Sequence, residues 1–141
     1  MINLRKTIYA ILLILTLLTI LFLTFQDSAG TVKLSEGIRL WLEQFGIHSD
    51  FHSFRSNAHL LVFFTLGLIL SLYGKEAGWR WYVVLAMGCG FGLLDEGMKI
   101  WLPTREFDVV DLMKDWIEVA TSVGVVNVSL LLSKTIRKDT A

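Results

Sequence analysis

The chain has 141 residues, 54% of them hydrophobic, with a mean hydropathy of +0.59 and thirteen basic residues balanced by thirteen acids. That length holds one domain, residues 1–141, and its apolar share exceeds what a soluble domain of this size needs. Zero net charge excludes the global basic field that draws proteins to nucleic acid, and the single cysteine, Cys89, excludes an internal disulfide.

The first apolar run, Ile8 to Phe25, carries no charge, and thirteen of its eighteen residues are Leu, Ile or Phe. At roughly −0.3 to −0.6 kcal/mol each near a helix centre, they favour insertion into a bilayer. Arg5 and Lys6 precede the run as they would in a signal peptide. Its length and the lack of an A-x-A site point instead to an uncleaved spanning helix.

Residues 26–57 form the first polar connection. In it Leu34, Ile38, Trp41, Leu42 and Phe45 recur at helical spacing between Ser35, Glu36, Arg39, Glu43 and Gln44. The pattern predicts a short amphipathic helix lying in the membrane interface or over a helix bundle. His48, Asp50, His52, Arg55 and His59 follow. His48 and His52 have the i, i+4 spacing of zinc ligands. No H-E-x-x-H motif or cysteine pair supports that use, so solvated histidines are expected, with no metal and no cofactor. Arg55 and His59 also stand i, i+4, at the start of a second span near residues 58–73. A polar pair at that depth is costly without a partner.

A third span is bracketed by Trp79-Arg80-Trp81-Tyr82 and Trp101. Its purely apolar part ends at Leu94, after about 21 Å of helix, short of a hydrocarbon core of about 30 Å. If the tryptophans mark the two interfaces, Asp95 and Glu96 lie inside the membrane, with Lys99 snorkelling outward. Gly88 and Gly92 form a G-x-x-x-G pair, which predicts close approach to a neighbouring helix. Asp108, Asp111, Asp115, Glu118 and Ser122 then step by 3, 4, 3 and 4 residues, a single helical face leading into a fourth span near 116–133. Four acids on one face repel. Arg55, Lys99 and Arg105 are the cations that could compensate them, although acids at a helix start also suit its dipole. Asn127 reads as an interhelical hydrogen bond.

These elements predict an all-α membrane protein, a four-transmembrane-helix bundle with an interfacial helix in its first outer loop. Arg5, Lys6, Lys75, Arg80, Lys134, Arg137 and Lys138 crowd three short segments, which places both termini in the cytoplasm. Eleven of the thirteen acids then face outward or lie near the outer interface.

Two separated polar motifs carry a family resemblance. Arg55-Ser-Asn-Ala-His59, followed by Phe63, Phe64 and Leu66-Gly67, resembles the R-K-x-A-H-F-x-x-Y-F-x-L-G segment of VanZ-like proteins. Asp95-Glu96-Gly-Met-Lys99, Pro103-Thr-Arg105 and Asp111-Leu-Met-Lys-Asp115 resemble that family's D-E-x-x-Q, P-G-R and D-x-x-x-N/D series. The likeness covers roughly Ser28 to Ser122. Lys99 stands in place of Gln, Thr104 of Gly, Phe63 of Tyr and Glu118 of Gly, and Lys99 and Glu118 could form an added ion pair.

The resemblance implies a multi-pass protein of the bacterial cytoplasmic (inner) membrane. The family's named member lowers susceptibility to the lipoglycopeptide teicoplanin. The expected site gathers His59, Asp95 and Glu96 as acid–base groups, with Arg55, Lys99, Arg105, Asp111, Asp115 and Glu118 as binding groups, in a pocket open to the outer side. Arg55 and Arg105 would grip an anionic, lipid-linked head group. Membrane lipids are the expected partners, nucleic acid is not, and the oligomeric state is open. Three function classes follow: a binding or shielding protein, an enzyme acting on lipid-linked or phosphorylated envelope components, and a proton-coupled small transporter.

Overall fold

A computed structural model describes residues 4–25, 28–48, 51–103 and 105–139; the side chains of 28, 31, 51–59, 134 and 137–139 lie outside that description. Five helices make up the fold: α1 (Leu4–Phe25), α2 (Ser28–Glu43), α3 (Phe51–Glu76), α4 (Trp81–Lys99) and α5 (Val109–Asp139). Three stretches are long and apolar enough to cross a membrane, namely Leu4–Phe25, Leu60–Ala77 and Val109–Ser133. They point to a membrane protein, and the exterior agrees. Ile11, Ile14, Leu15, Leu18 and Phe22 of α1, and Ile117, Val128, Leu131 and Leu132 of α5, are all exposed. Against water such a surface would be prohibitive; against lipid tails it costs nothing.

Helix α1 contains no breaker, and the hydroxyls of Thr16 and Thr19 donate to the carbonyls of Leu12 and Leu15 at 2.9 Å. Its polar atoms are thereby satisfied within the helix, as an apolar medium requires. The α3–α4 turn is made by Gly78, whose φ of 74° only glycine adopts readily, and it closes with Trp79 N donating to the Gly74 carbonyl at 2.8 Å. Helix α2 carries its own charge clamp. Arg39 reaches Glu36 at 2.6 Å and also pairs with Glu43. That hydrogen bond holds the Glu36 carboxyl below its ordinary range. The clamp therefore supports the helix above the ordinary carboxylate pKa and is lost as pH falls through the lowered one.

Helix α3 is the hub. It packs on α5 most extensively, then on α1 and α4, and it also carries α2. The core is Ile20, Phe63, Leu66, Leu70, Val84, Val119 and Val123. Helices meet closely because glycine lies at the contacts. A Cβ on Gly67 would fall 2.0 Å from Ser122 Oγ and 3.1 Å from the Val119 Cα, and one on Gly88 would fall 2.4 Å from Val119 Cγ1. Gly92 meets Asp115 and Trp116, while Gly90 faces open space. The G-x-x-x-G pair thus marks a real contact, made with α5. Gly67→Ala should destabilise the bundle by about 1–3 kcal/mol, because the Val119 backbone cannot retreat. Gly90→Ala should leave stability unchanged or slightly raised. Thermal unfolding of the detergent-solubilised protein measures both.

Candidate functional site

Where the C-terminal end of α4 meets the ends of α1 and α5, the protein buries charge. Asp95, Glu96 and Lys99 of α4 and Asp115 of α5 are at most 7% exposed, and Glu96 and Asp115 are 0% exposed. Such burial is tolerable only where each charge has a counter-charge or a hydrogen-bond donor. Lys99 provides the first answer. Its ammonium pairs with Glu96 one turn back and lies 3.7 Å from Asp95 Oδ2. The side chain thus turns inward rather than snorkelling. Its i−3 and i−4 acids lie on its own helix, and a nearby buried carboxylate attracts an ammonium more strongly than a distant interface does.

Neighbouring elements supply the rest. Thr24, buried at the end of α1, hydrogen-bonds Asp95. The backbone N–H of Asp108 donates to Glu96 Oε2 at 3.1 Å. Arg105 donates from Nη2 to the Leu23 carbonyl at 3.2 Å, which ties the α4–α5 connection to α1 beside Thr24. Asp115 completes the group, its carboxylate lying with those of Asp95 and Glu96 within 4.8 Å of one another. Gly92 is what admits it: a Cβ there would stand 3.3 Å from the Asp115 Cβ. Trp116 then locks the two helices by donating from Nε1 to the Cys89 carbonyl at 3.0 Å.

The five-residue series on α5 separates into distinct environments. Asp108 precedes the helix and caps it, accepting from the Val110 N–H at 2.7 Å. Asp111 is half-buried and pairs with Lys114 at 2.8 Å. Asp115 and Ser122 face inward, with Ser122 Oγ donating to the Val119 carbonyl. Glu118 is half-buried at the edge, and among the described residues no ion pair engages it. The expected Lys99–Glu118 pair is therefore replaced by Lys99 with Glu96 and Asp95. The repulsion expected along one acidic face is relieved by a cap, a lysine and a buried cluster. His48 is exposed. The side chains of His52, Arg55 and His59, and all of Asp50, lie outside the described residues.

Sequence reasoning found Asp95, Glu96, Arg105 and Asp115 but missed Thr24. The hint was a threonine one residue from the end of an otherwise Leu-rich span. Chemically, the cluster sets three carboxylates of two helices side by side, with the Lys99 ammonium against two of them, and carboxylate oxygens accept hydrogen bonds from hydroxyl or amine donors. Three oxygens at this spacing could also take a small divalent cation; in this chain the Lys99 ammonium lies against two of the three carboxylates.

Comparison of the chain with protein-family models, with curated protein sequences and with solved structures finds no match. Lys99→Met should cost about 3–5 kcal/mol of stability, since it leaves buried carboxylates without their cation. Adding Glu96→Leu should recover much of that loss, because an apolar pair of similar volume needs no counter-charge. Denaturant titration of the two variants in micelles checks both expectations.

Proposed function

We propose that this chain is a VanZ-like integral membrane protein of the bacterial cell envelope. On this reading it crosses the cytoplasmic membrane four times with both termini inside, and its outer end receives the polar head group of a lipid-linked or lipid-anchored glycan. One observation carries the reading. The Asp95-Glu96-x-x-Lys99 segment and the Asp111–Asp115 segment, far apart in sequence, deliver Asp95, Glu96 and Asp115 to one buried cluster.

On this reading α4 also crosses, as the third of four spans in chain order. Its nineteen residues reach about 28 Å, and its three charges are paired or hydrogen-bonded inside the bundle, so they do not forbid crossing. The start of α1, the end of α3, the start of α4 and the later part of α5 share one end of the bundle, as the Lys6–Tyr73 contact and the cleft joining Lys75, Trp79 and Asn127 attest. Lysine and arginine crowd that end, which makes it cytoplasmic. The carboxylate end is then outside, and α2 lies across it in the interface, with exposed Ile38, Trp41 and Phe45 toward lipid.

A glycan suits the chemistry. Its hydroxyl and amino groups are donors for the carboxylates, and a linking phosphate would be met by Arg105. Because the cluster is enclosed, a ligand reaches it only when the elements around it move aside. We favour binding and shielding over turnover, since they need shape and charge but no titrating acid or base.

Glu96→Gln and Asp115→Asn should each abolish any protection against teicoplanin-type lipoglycopeptides in cells expressing the protein at normal membrane levels, while lipid and cell-wall precursor pools stay unchanged. A shifted precursor pool that depends on His59 and Glu96 would instead show that the site turns over an envelope lipid. Protection that survives both substitutions would refute the site.

A further inference from the structure

At the opposite end of the bundle from the carboxylates, α3, α4 and α5 leave a cleft of about 240 Å³ between them. Its wall includes Ser71, Lys75, Trp79, Trp81 and Asn127. The apolar stretch of α3 stops at Ala77, so the cleft lies where hydrocarbon gives way to head groups. The lining matches that depth. Trp79 and Trp81 present apolar rings with an N–H at one edge, the amphipathic build of residues in an interfacial belt. Asn127 donates one amide hydrogen to the Val123 carbonyl at 2.7 Å, and an amide NH2 has a second to give.

The charge around the cleft is basic. Lys75 is exposed on its wall, and Arg80 is exposed in the turn beside it, its guanidinium resting on the Tyr82 ring. Lys6 of α1 stands 5.9 Å from the centre of the Tyr73 ring, which packs edge-on against Trp79. Glu76 is the acid of α3 at this level and is half-buried. Lys75 therefore lines, and Arg80 and Lys6 flank, a recess of mixed polar and apolar walls that is bordered by the apolar outer faces of α4 and α5.

We propose that this cleft binds the phosphate of an anionic phospholipid, with Lys75 and Arg80 as its cationic contacts, Asn127 and the tryptophan N–H groups as donors, and the acyl chains running along the exposed faces of α4 and α5. Inter-helix recesses of this composition suit such head groups, and each lysine or arginine near the surface contributes about 1 kcal/mol, or roughly fivefold in affinity. The site is independent of the outer carboxylate cluster.

The experiment uses the full chain in detergent micelles, with native mass spectrometry counting retained lipid as phosphatidylglycerol or phosphatidylcholine is added. The expected result is one preferentially retained phosphatidylglycerol. Binding should weaken about fivefold in Lys75→Gln and again in Arg80→Gln, be restored in Lys75→Arg, and stay unchanged in Lys33→Gln at the other end. Arg80 is exposed, so its variant reports binding even if Lys75→Gln perturbs folding. Equal retention of the two lipids, or affinity indifferent to both cations, would overturn the proposal. So would displacement of the lipid by soluble glycerol phosphate at similar concentration, which would mark a site for free phosphate esters.

Discussion

Charge taken out of water must be neutralised by what surrounds it, and this bundle is arranged around that requirement. Asp95, Glu96, Lys99 and Asp115 are buried together where α1 and α4 end and α5 begins. The first part of the solution is local, because Lys99 finds its acids three and four residues back on α4 before any other helix arrives. The second part is long-range. Thr24, the Asp108 N–H and Asp115 come from elements that must pack against α4 to reach the cluster. Gly92 makes that approach possible, and Trp116 holds it through the Cys89 carbonyl. Polar satisfaction at this end and helix packing along α4 and α5 are therefore one structural fact described at two scales.

The two ends of the bundle have opposite characters. One concentrates carboxylates in the interior and roofs them with the α4–α5 connection. The other leaves Lys75 and Arg80 exposed around tryptophans and a recess. Between them the core is ordinary aliphatic packing of Phe63, Leu66, Leu70, Val119 and Val123. A protein with apolar flanks and differently charged poles suits a bilayer whose two faces differ in potential and lipid head groups. On the readings proposed above, one pole would meet hydrogen-bond donors and the other phosphates.

Much of this was legible from residue order, and the exceptions are instructive. Leucine-rich runs identified α1 and the apolar parts of α3 and α5 because insertion energetics depend on composition alone. The flanking tryptophans set a ruler that puts Asp95 and Glu96 at bilayer depth, and the structure shows both buried among the helices. Lys99 was misdirected because snorkelling considers one side chain and the interface, whereas the deciding partner was the acid one turn away. The series from Asp108 to Ser122 was read as one face because spacing does not say where a helix begins. Once α5 starts at Val109, Asp108 becomes its cap and leaves the series. Thr24 is silent in the sequence because a threonine in a leucine run can satisfy itself on its own helix, as Thr16 and Thr19 do, and only the fold sets it against Asp95.

The central claim is that the two polar motifs meet inside the bundle, and the Gly92–Asp115 contact tests it most directly. A Cβ at position 92 would lie 3.3 Å from that of Asp115, close to the 3.5–4.5 Å span of a disulfide. In a Cys89→Ser background, Gly92→Cys with Asp115→Cys should form an intramolecular disulfide rapidly and nearly completely under mild oxidant in native membranes, while Gly90→Cys with Asp115→Cys should not. Absence of the bond in the first pair, or equal bonding in both, would contradict the account.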